Sequence, residues 1–232
     1  MIIFNDVALN SVAPVMVEDI KISPISMSAT ARQRPIKWGA DFVRMTGGTR
    51  TVTITFGLLT EDISERADQV REITRWARSA APGKLMLPGH DGVYLEVVCT
   101  GLPEPSARQW WESRLRIVFQ TFDNPYWTGI EEHDGACGSA IMVMGSAPPL
   151  MRVRAAFDQT VTNRTYGIGT ETMTFSSLPA GTLTIDFNKQ TADVGGTSVM
   201  SAFSFGSVFP EPRTGAQTVT GIGRVKWRER WE

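Results

Sequence analysis

The sequence predicts a mainly β protein with one α-helix, divided into two domains of which the second is an all-β sandwich. Three observations support this fold class. Short alternations of apolar and polar residues recur along most of the 232 residues, one segment has a helical period, and the composition changes near residue 130. A chain of this length can bury either one large β core or two modest ones.

Alternation with a period of two marks three strands in the N-terminal half. In TVTITFGL, every second residue from Val52 to Leu58 is apolar, and most of the others are threonines. The same pattern recurs in VYLEVVC and in WWESRLRIVFQTF. Because successive side chains of a strand point to opposite faces, these segments predict an open antiparallel sheet with one face in water.

One helix is predicted over residues 61–80, EDISERADQVREITRWARSA. Asp62 followed by Glu65 resembles a capping box at its start, and Pro82 with Gly83 should stop it. We expect the helix to lie across the N-terminal sheet, with its charged side solvated rather than bound to a partner. Its apolar stripe consists of Ile63, Ala67, Val70, Ile73 and Ala77.

A long stretch precedes the first strong strand, and its sequence is SPISMSATARQRPIKWGADFVRMTGGTR. It combines prolines and glycines with apolar residues such as Trp38 and Phe42, so it is too apolar for a disordered linker. It is either an extended arm or hairpin that packs on a neighbouring molecule, or an ordinary surface loop, and the composition favours neither.

The domain boundary is predicted at residue 132, which gives domains of 1–132 and 133–232. In FDNPYWTGIEEHDGACGS, the pair Asn124–Pro125 ends a strand, and the charged run 131–134 leads into small residues. The remaining sequence is rich in Thr, Ser and Gly, and its short strands indicate a sandwich. These strands are LMRVRAAF, TMTFSSL, TLTIDF, SAFSFGSVF and IGRVKWRERW.

Composition and charge argue against several classes of protein. The formal net charge is -1, without the basic excess of a general nucleic-acid binder. No apolar run approaches the roughly 18 residues that cross a bilayer, and the first residues lack a signal-peptide pattern, so we expect a soluble protein made in the cytoplasm. Cys99 and Cys137 are expected to be free, mostly buried thiols, and His90 and His133 are too scattered to form a metal cluster.

Asp186 could be either a catalytic acid or a solvent-facing residue, because its carboxylate lies in the middle of the predicted strand GTLTIDF. Its neighbours Leu183, Ile185 and Phe187 point to one face, so Asp186 points to the other and should face water. The segment that follows is expected to turn into a return strand that reaches Val194 and is closed by two glycines. No spacing pairs Asp186 with a second acid such as Asp158 or Glu171, as a glycosidase would require.

Other catalytic and ligand-binding patterns are also missing from the sequence. The run EEHD at 131–134 is the tightest group of potential metal ligands, but consecutive residues should splay to different sides of a loop. The two GIG pieces at 167–169 and 221–223 are not followed by helices that could hold a phosphate, and no GxSxG motif occurs. We therefore expect no enzyme and no cofactor, and we assign no catalytic, cofactor-binding or metal residues.

Two features suggest binding surfaces. Trp110 and Trp111 are consecutive residues of a strand, so their indoles point to opposite faces. The indole of Trp110, on the charged face, would contact another subunit, stack on a sugar or be covered by its own chain. The last strand carries a stripe of basic residues that either pairs with an acidic partner or keeps an exposed strand soluble. The stripe consists of Arg224, Lys226, Arg228 and Arg230, opposite Val225, Trp227 and Trp231.

The order of these features resembles the distal tail protein family of long-tailed, siphovirus-type bacteriophages and prophages. The resemblance covers nearly the whole chain. Its most specific parts are the strand Arg50–Leu59 that leads into the helix, the aromatic-Asn-Pro-aromatic junction at Phe122–Tyr126, and the hairpin IDFNKQT. It implies an N-terminal β-rich belt domain, split-barrel-like and with one helix, and a C-terminal galectin-like β-sandwich.

The resemblance also implies an architectural function. Six copies are expected to form a hexameric ring at the virion tail tip, with the belt domains in the ring and the sandwiches outside it. This ring would join the tail tube protein to the baseplate or to a tail-tip fibre protein, after synthesis in the host bacterial cytoplasm. Neither a membrane nor a sequence-specific nucleic acid is expected as a partner, and the apolar arm from Ile25 to Met45 offers material for the ring interface.

The alternative function is a carbohydrate-binding β-sandwich module for attachment to the host surface. It is suggested by the galectin-like sandwich and by Trp110. It would require a sugar-facing patch of polar groups, which alternation along strands cannot reveal.

Overall fold

The computed structural model describes residues 1–33, 40–60, 62–103 and 114–232, with the backbone alone considered at 27–33, 40–47 and 63. The chain divides into two compact units, Met1–Trp127 and Thr128–Glu232. Strands predominate in both, and the pairs between them are antiparallel. The prediction of a mainly β protein is therefore confirmed.

The elements of the first part of the chain are β1 (Ile3–Phe4), β2 (Val7–Ala8), α1 (Leu9–Val12), β3 (Val15–Ile22), β4 (Met27–Gln33), β5 (Ala40–Gly47), β6 (Thr51–Leu58), α2 (Ile63–Ala77), β7 (Gly83–Met86), β8 (Val93–Gly101), β9 (Arg114–Gln120) and β10 (Trp127–Gly129).

The elements of the second part are β11 (His133–Ala136), β12 (Ala140–Val143), β13 (Ala147–Phe157), β14 (Val161–Ile168), β15 (Glu171–Leu178), β16 (Gly181–Asp186), β17 (Thr191–Val194), β18 (Thr197–Ser198), a 3-10 helix (Met200–Ala202), β19 (Gly215–Thr220) and β20 (Arg224–Trp231).

The three strands predicted by alternation in the first unit lie next to one another. Pairing runs in the order β3, β6, β9, β8, β7, β1 and β2. Val52, Ile54 and Phe56 of β6 and Ile117 and Phe119 of β9 have no exposed surface, while the residues between them are at least partly accessible. The predicted sheet with one apolar face is confirmed for these two strands.

The long helix α2 packs on this sheet through one stripe, as its period predicts. Val70, Ile73 and Ala77 are buried, whereas Ala67 is exposed. The capping differs from the expected box. Asp62 accepts a hydrogen bond from the backbone N–H of Ser64 at 2.8 Å, but Glu65 accepts the hydroxyl of Thr60 at 2.7 Å instead of returning to the cap.

An aromatic cluster fixes the end of α2 to the sheet. The ring of Trp76 lies 5.8 Å from that of Phe4 in β1 and 6.2 Å from that of Phe119 in β9, both edge-on. The indole N–H donates to the backbone oxygen of Val7 at 3.0 Å. Because the indole satisfies its donor while its body is packed, Trp76 joins the helix to strands at two places in the sheet.

The stretch before β6 contains a hairpin. β4 and β5 pair antiparallel from Met27 opposite Gly47 to Gln33 opposite Ala40. The hairpin interpretation of this stretch is therefore confirmed over the loop interpretation, whereas its packing on a neighbour stays a prediction. Trp38 lies outside the described residues.

The second unit is a sandwich of two antiparallel sheets. The larger sheet, which we call the large sheet, has the order β18, β17, β16, β13, β20 and β11, and the small sheet has the order β12, β19, β14 and β15. Side chains from both sheets form one core that includes Val153, Tyr166, Phe175, Ile185 and Val219. The predicted all-β sandwich is confirmed, and its galectin-like character stays a prediction, as does the split-barrel character of the first unit.

Two local elements differ from the prediction. SAFSFGSVF, predicted as a strand, begins inside the 3-10 helix and continues with a single bridge from Phe203 to Phe175 and a turn at Gly206, which has a φ of +82°. The one-turn helix α1 was not predicted, because four residues are too few to show a period. Its residue Leu9 is fully buried. Among the described residues, no helix has the length and apolar content to span a membrane.

We expect Gly223→Ala to destabilise the protein by about 3 kcal/mol or more. Gly223 has a φ of +105°, and a Cβ there would overlap the backbone oxygen of Arg154 on the neighbouring strand. Gly196→Ala is the matched control, since Gly196 has a φ of +85° but open space around the added atom, and about 1 kcal/mol is expected. Urea unfolding of both variants measures the difference, and equal losses would contradict the close packing at Gly223.

Candidate functional site on the outer face of the second unit

The outer face of the large sheet carries two rows of side chains that cross its strands. They point outward because the row between them, formed by Val225, Val153, Ile185 and Ala192, is buried. The first outer row runs Arg224, Arg154, Thr184 and Asp193 across β20, β13, β16 and β17. The second runs Lys226, Arg152, Asp186 and Thr191 across the same strands. We refer to these eight residues as the two outer rows.

The two outer rows place like charges directly opposite each other. Arg154 of β13 faces Arg224 of β20, and Arg152 faces Lys226. Cross-strand neighbours have Cβ atoms about 5 Å apart, so each pair repels and lowers the stability of the sheet. The four cations therefore require compensation from elsewhere in the unit.

Glu132, which immediately precedes β11, provides most of this compensation. Its Oε1 accepts from Nη2 of Arg152 at 2.6 Å, and its Oε2 accepts from Nζ of Lys226 at 3.2 Å. Nε of Arg228 lies 3.8 Å from Oε1. A single carboxylate with 23% side-chain exposure thus stands among three cations. Such a partly buried network is stronger than an isolated surface pair.

The electrostatics of Glu132 follow from this arrangement. Partial burial by itself raises the pKa of the carboxyl group, but the hydrogen bonds and charges of Arg152 and Lys226 outweigh it and lower the pKa below its usual range. Asp134 forms a second pair, in which Nε of Arg224 donates to both carboxylate oxygens at 2.9 and 3.0 Å. This hydrogen bond lowers the pKa of Asp134 and raises that of Arg224.

The EEHD run therefore pairs charges, with His133 and Asp134 in β11 and Glu131 and Glu132 in the segment just before it. Alternation sends Glu132 and Asp134 to the outer face, while His133 turns inward and stacks on Trp227 with ring centroids 5.3 Å apart. Within the described ranges, no three His, Cys, Asp or Glu side chains converge in a way that could hold a metal ion.

The basic stripe of the last strand has partners within its own unit. β20 pairs with β13 on one side and β11 on the other, so the interpretation as an exposed strand is wrong. Arg228 donates to the backbone oxygens of Gly129 and Ile130, and Arg230 donates to that of Pro148. The sequence could not show this, because Arg152, Pro148 and residues 129–134 are far from β20 along the chain.

Asp186 lies where alternation predicts. Leu183, Ile185 and Phe187 are buried, and Asp186 is on the opposite face. Its Oδ1 accepts the backbone N–H groups of Asn188 and Lys189 at 3.0 and 2.9 Å, which closes the turn into β17. Asp186 is thus part of a turn.

The remaining candidates are not brought to this face. Glu171 belongs to the small sheet and pairs with Arg213 at 2.9 Å. Trp110 and Trp111 lie outside the described residues. Cys99 and Cys137 are free thiols and are half-buried rather than mostly buried, and burial raises the pKa of both.

We expect Glu132→Gln to lower the free energy of unfolding by about 1 kcal/mol at neutral pH, because three cations would lose their carboxylate. The pKa of Glu132 is lower in the folded state, so its contribution is present at neutral pH and is lost as the pH falls below about 4.5, the ordinary value. The free energies of unfolding of the parent and of Glu132→Gln should therefore become equal in acid. Glu171→Gln removes one exposed pair and should change stability by less than about 0.5 kcal/mol. Denaturant titrations from pH 3 to 7 test this, and a difference that persists in acid would contradict it.

We expect Asp186→Asn to change stability little, since the Oδ1 of asparagine can accept the same two backbone N–H groups. Asp186→Ala should lose about 1 kcal/mol by opening the turn. Thermal unfolding compares the two, and a large loss in the asparagine variant would show that the negative charge itself is needed.

Comparison with known proteins identifies the fold. The sequence matches no protein-family model and no curated protein. The crystal structure of the SPP1 Dit protein, called a paradigm of the hub adsorption apparatus in phages that infect Gram-positive hosts, superposes with a TM-score of 0.75 at 9% identity. The match covers 100% of this chain and 98% of that chain.

Chains from two structures of the phage P2 baseplate in its activated conformation, with Ca and with Sr, have lower TM-scores of 0.49 and 0.45. They share 7% and 8% identity, over 96% of this chain and 92% of each of those chains. Along its whole length the chain has the fold of the SPP1 Dit protein, and the resemblance to the distal tail protein family is confirmed at the level of the fold.

Proposed function

We propose that this chain is a structural distal tail protein that forms a hexameric ring hub at the tip of a siphovirus-type tail. The observation that carries the proposal is the match to the SPP1 Dit fold over 100% of the chain. Both units of this chain are included in that match, so the likeness is not that of a common β-sandwich alone.

The partners follow from the same proposal. The ring would join the tail tube protein to the baseplate or to a tail-tip fibre protein, and its location would be the virion tail tip after synthesis in the host cytoplasm. No catalytic step, membrane or sequence-specific nucleic acid is part of this function. The carbohydrate-binding alternative, drawn from the galectin-like sandwich and from Trp110, stays a prediction.

The first unit, which we propose as the ring-forming unit, has exposed apolar side chains along one strand edge, on both faces of the sheet, and we call this edge the apolar patch. Met16, Val17 and Leu59 are 55%, 37% and 62% exposed. Met16 and Val17 belong to β3, which pairs with β6 and with no other described strand. Apolar side chains beside an open strand edge favour association with another polypeptide. A ring must use two different surfaces of each subunit, and this patch supplies one of them.

We expect the purified chain to form rings of six. Native mass spectrometry should give a hexamer, and negative-stain images should show a ring with a central opening. Monomers at every concentration from micromolar to millimolar would overturn the ring, and so would an open filament.

Met16→Glu should weaken the association, because it places a charge in the apolar patch. Met142→Glu is the matched control, since Met142 is also 55% exposed but lies in the second unit. Both variants should keep the far-ultraviolet circular dichroism spectrum of the parent, which would show that the fold of the subunit is intact. Loss of the ring in both would show that the second unit also holds subunits together.

A further inference from the structure

The small sheet of the second unit has an edge that its own chain covers. β15 is the last strand of this sheet, and from Glu171 to Leu178 one of its edges pairs with β14. Along its other edge run residues 203–213, which we call the strap, and an antiparallel bridge joins Phe203 to Phe175 there. An open strand edge is a place where another chain can pair, so a cover over it controls access to that edge.

The strap pairs with β15 only in part. The backbone N–H of Ser204 donates to the backbone oxygen of Thr174 at 2.8 Å. Further along, the N–H of Val208 donates to the backbone oxygen of Thr172 at 3.2 Å. Between these two bonds the strap makes a turn, so the N–H of Thr174 donates to the hydroxyl of Ser207 at 3.0 Å instead of to a backbone oxygen. A regular antiparallel strand would continue the ladder of backbone bonds at this point.

Two aromatic rings attach the strap to the core. Phe203 and Phe209 stack with their centroids 5.4 Å apart, and both are half-buried against the core of the sandwich. Phe203 also lies edge-on to Phe175, at 5.8 Å. Phe205 and Val208 are exposed instead, so these two apolar side chains contribute little to holding the strap in its present position.

Glu171 fastens the far end of the strap. Its Oε2 accepts the backbone N–H of Glu211 at 3.0 Å, and its Oε1 accepts Nη2 of Arg213 at 2.9 Å. The side-chain amide of Gln217 accepts the backbone N–H of Arg213 at 3.3 Å and donates to its backbone oxygen at 2.6 Å. Glu211 lies between two prolines, which have no N–H, so side chains and not a strand ladder hold this end. Because the pair of Glu171 and Arg213 is partly exposed, water can replace its bonds at small cost.

We infer that the strap is an autoinhibitory cover. It opens while the rest of the second unit stays folded, and the uncovered edge of β15 then pairs with an extended strand of another polypeptide. That strand supplies two apolar side chains in the places of Phe203 and Phe209, together with a backbone ladder that the strap provides only in part. The inference concerns the second unit alone and does not rest on the proposed ring.

The covered edge specifies what replaces the strap. Backbone donors and acceptors in a row match another extended strand, whereas a helix has already paired its backbone groups internally. The inward side of the incoming strand must be apolar, because Phe203 and Phe209 uncover part of the core when they leave. Its outward side needs no charge, because the outward residues of β15 are Thr172, Thr174 and Ser176, between the buried Met173 and Phe175.

Hydrogen exchange of the full chain, followed by NMR at single amides, tests the opening. If the strap opens as a separate unit, the amides of Ser204, Val208 and Glu211 exchange through that opening and not through global unfolding. Glu171→Ala removes the carboxylate that fastens the strap, so these three amides should exchange roughly threefold faster or more.

Glu132→Gln is the control for this experiment, because Glu132 pairs with cations of the large sheet and its loss lowers the global stability. Amides that exchange only by global unfolding, such as that of Ile185 in the core, should speed up roughly fivefold in this variant. The amides of the strap should stay within about twofold of the parent.

A labelled peptide of residues 201–213, SAFSFGSVFPEPR, serves as the incoming strand, since it contains the sequence of the strap. Phe209→Ser in the full chain weakens the attachment of the strap but leaves β15 and Glu171 unchanged. Fluorescence anisotropy should therefore show the peptide binding to this variant roughly fivefold more tightly than to the parent. Arg213→Ser weakens the strap at an exposed position, so it keeps the test available if Phe209→Ser does not fold, and it should also bind the peptide more tightly than the parent does.

Two altered peptides are the matched controls. A peptide with serine in place of both Phe203 and Phe209 should bind neither chain, because it has lost the side chains that enter the core. A peptide with serine in place of Phe205 should bind as the original does, since Phe205 is exposed in the strap.

Four results would overturn the inference. The first is an increase in the exchange of the strap amides in Glu132→Gln that equals that of Ile185, which would show that the strap has no opening of its own. The others are no binding of the peptide to either strap variant, equal binding to the parent, or equal losses in the two altered peptides. The last of these would show general apolar adhesion and not pairing with the edge of β15.

Discussion

A buried row of apolar side chains across the large sheet is the constraint on which the second unit depends. Val225, Val153 and Ile185 have no exposed surface, and Ala192 has 1%. Burial of apolar surface contributes roughly 25 cal/mol per Å², and a slip of one residue in any strand would turn its apolar side chains to water. The register is therefore fixed from inside, and the positions of all outward side chains follow from it.

The charged network on the outside is a consequence of that register. Because the inner row cannot move, Arg152 must stand beside Lys226 and Arg154 beside Arg224. Glu132, in the segment before β11, pairs with both Arg152 and Lys226 and so reduces their repulsion. The same two cations lower the pKa of Glu132. The solvent-facing side of the small sheet has a neutral cross-strand pair in place of like charges. Thr165 and Thr174 lie opposite each other there, and their hydroxyl groups share a hydrogen bond of 2.9 Å.

The fold as a whole depends on pattern more than on particular residues. A TM-score of 0.75 at 9% identity shows that very different side chains can build the same arrangement of strands. Alternation, turn positions and one amphipathic helix are enough to specify the layers, and they leave the surface residues free to vary. This explains why the strand faces and α2 could be predicted, whereas the partners of Glu65 and Glu132 could not.

The sequence by itself determined which side of β6, β9 and β16 is buried, where α2 lies along the chain and that Asp186 faces outward, because these properties depend on residues two to four positions apart. Only the tertiary structure decided which charges meet. Glu132 reaches Arg152, 20 residues away, and Lys226, 94 residues away, because strand order brings β11, β20 and β13 together. Periodicity along a chain contains no information on strand order, so the charged face became visible only in the folded molecule.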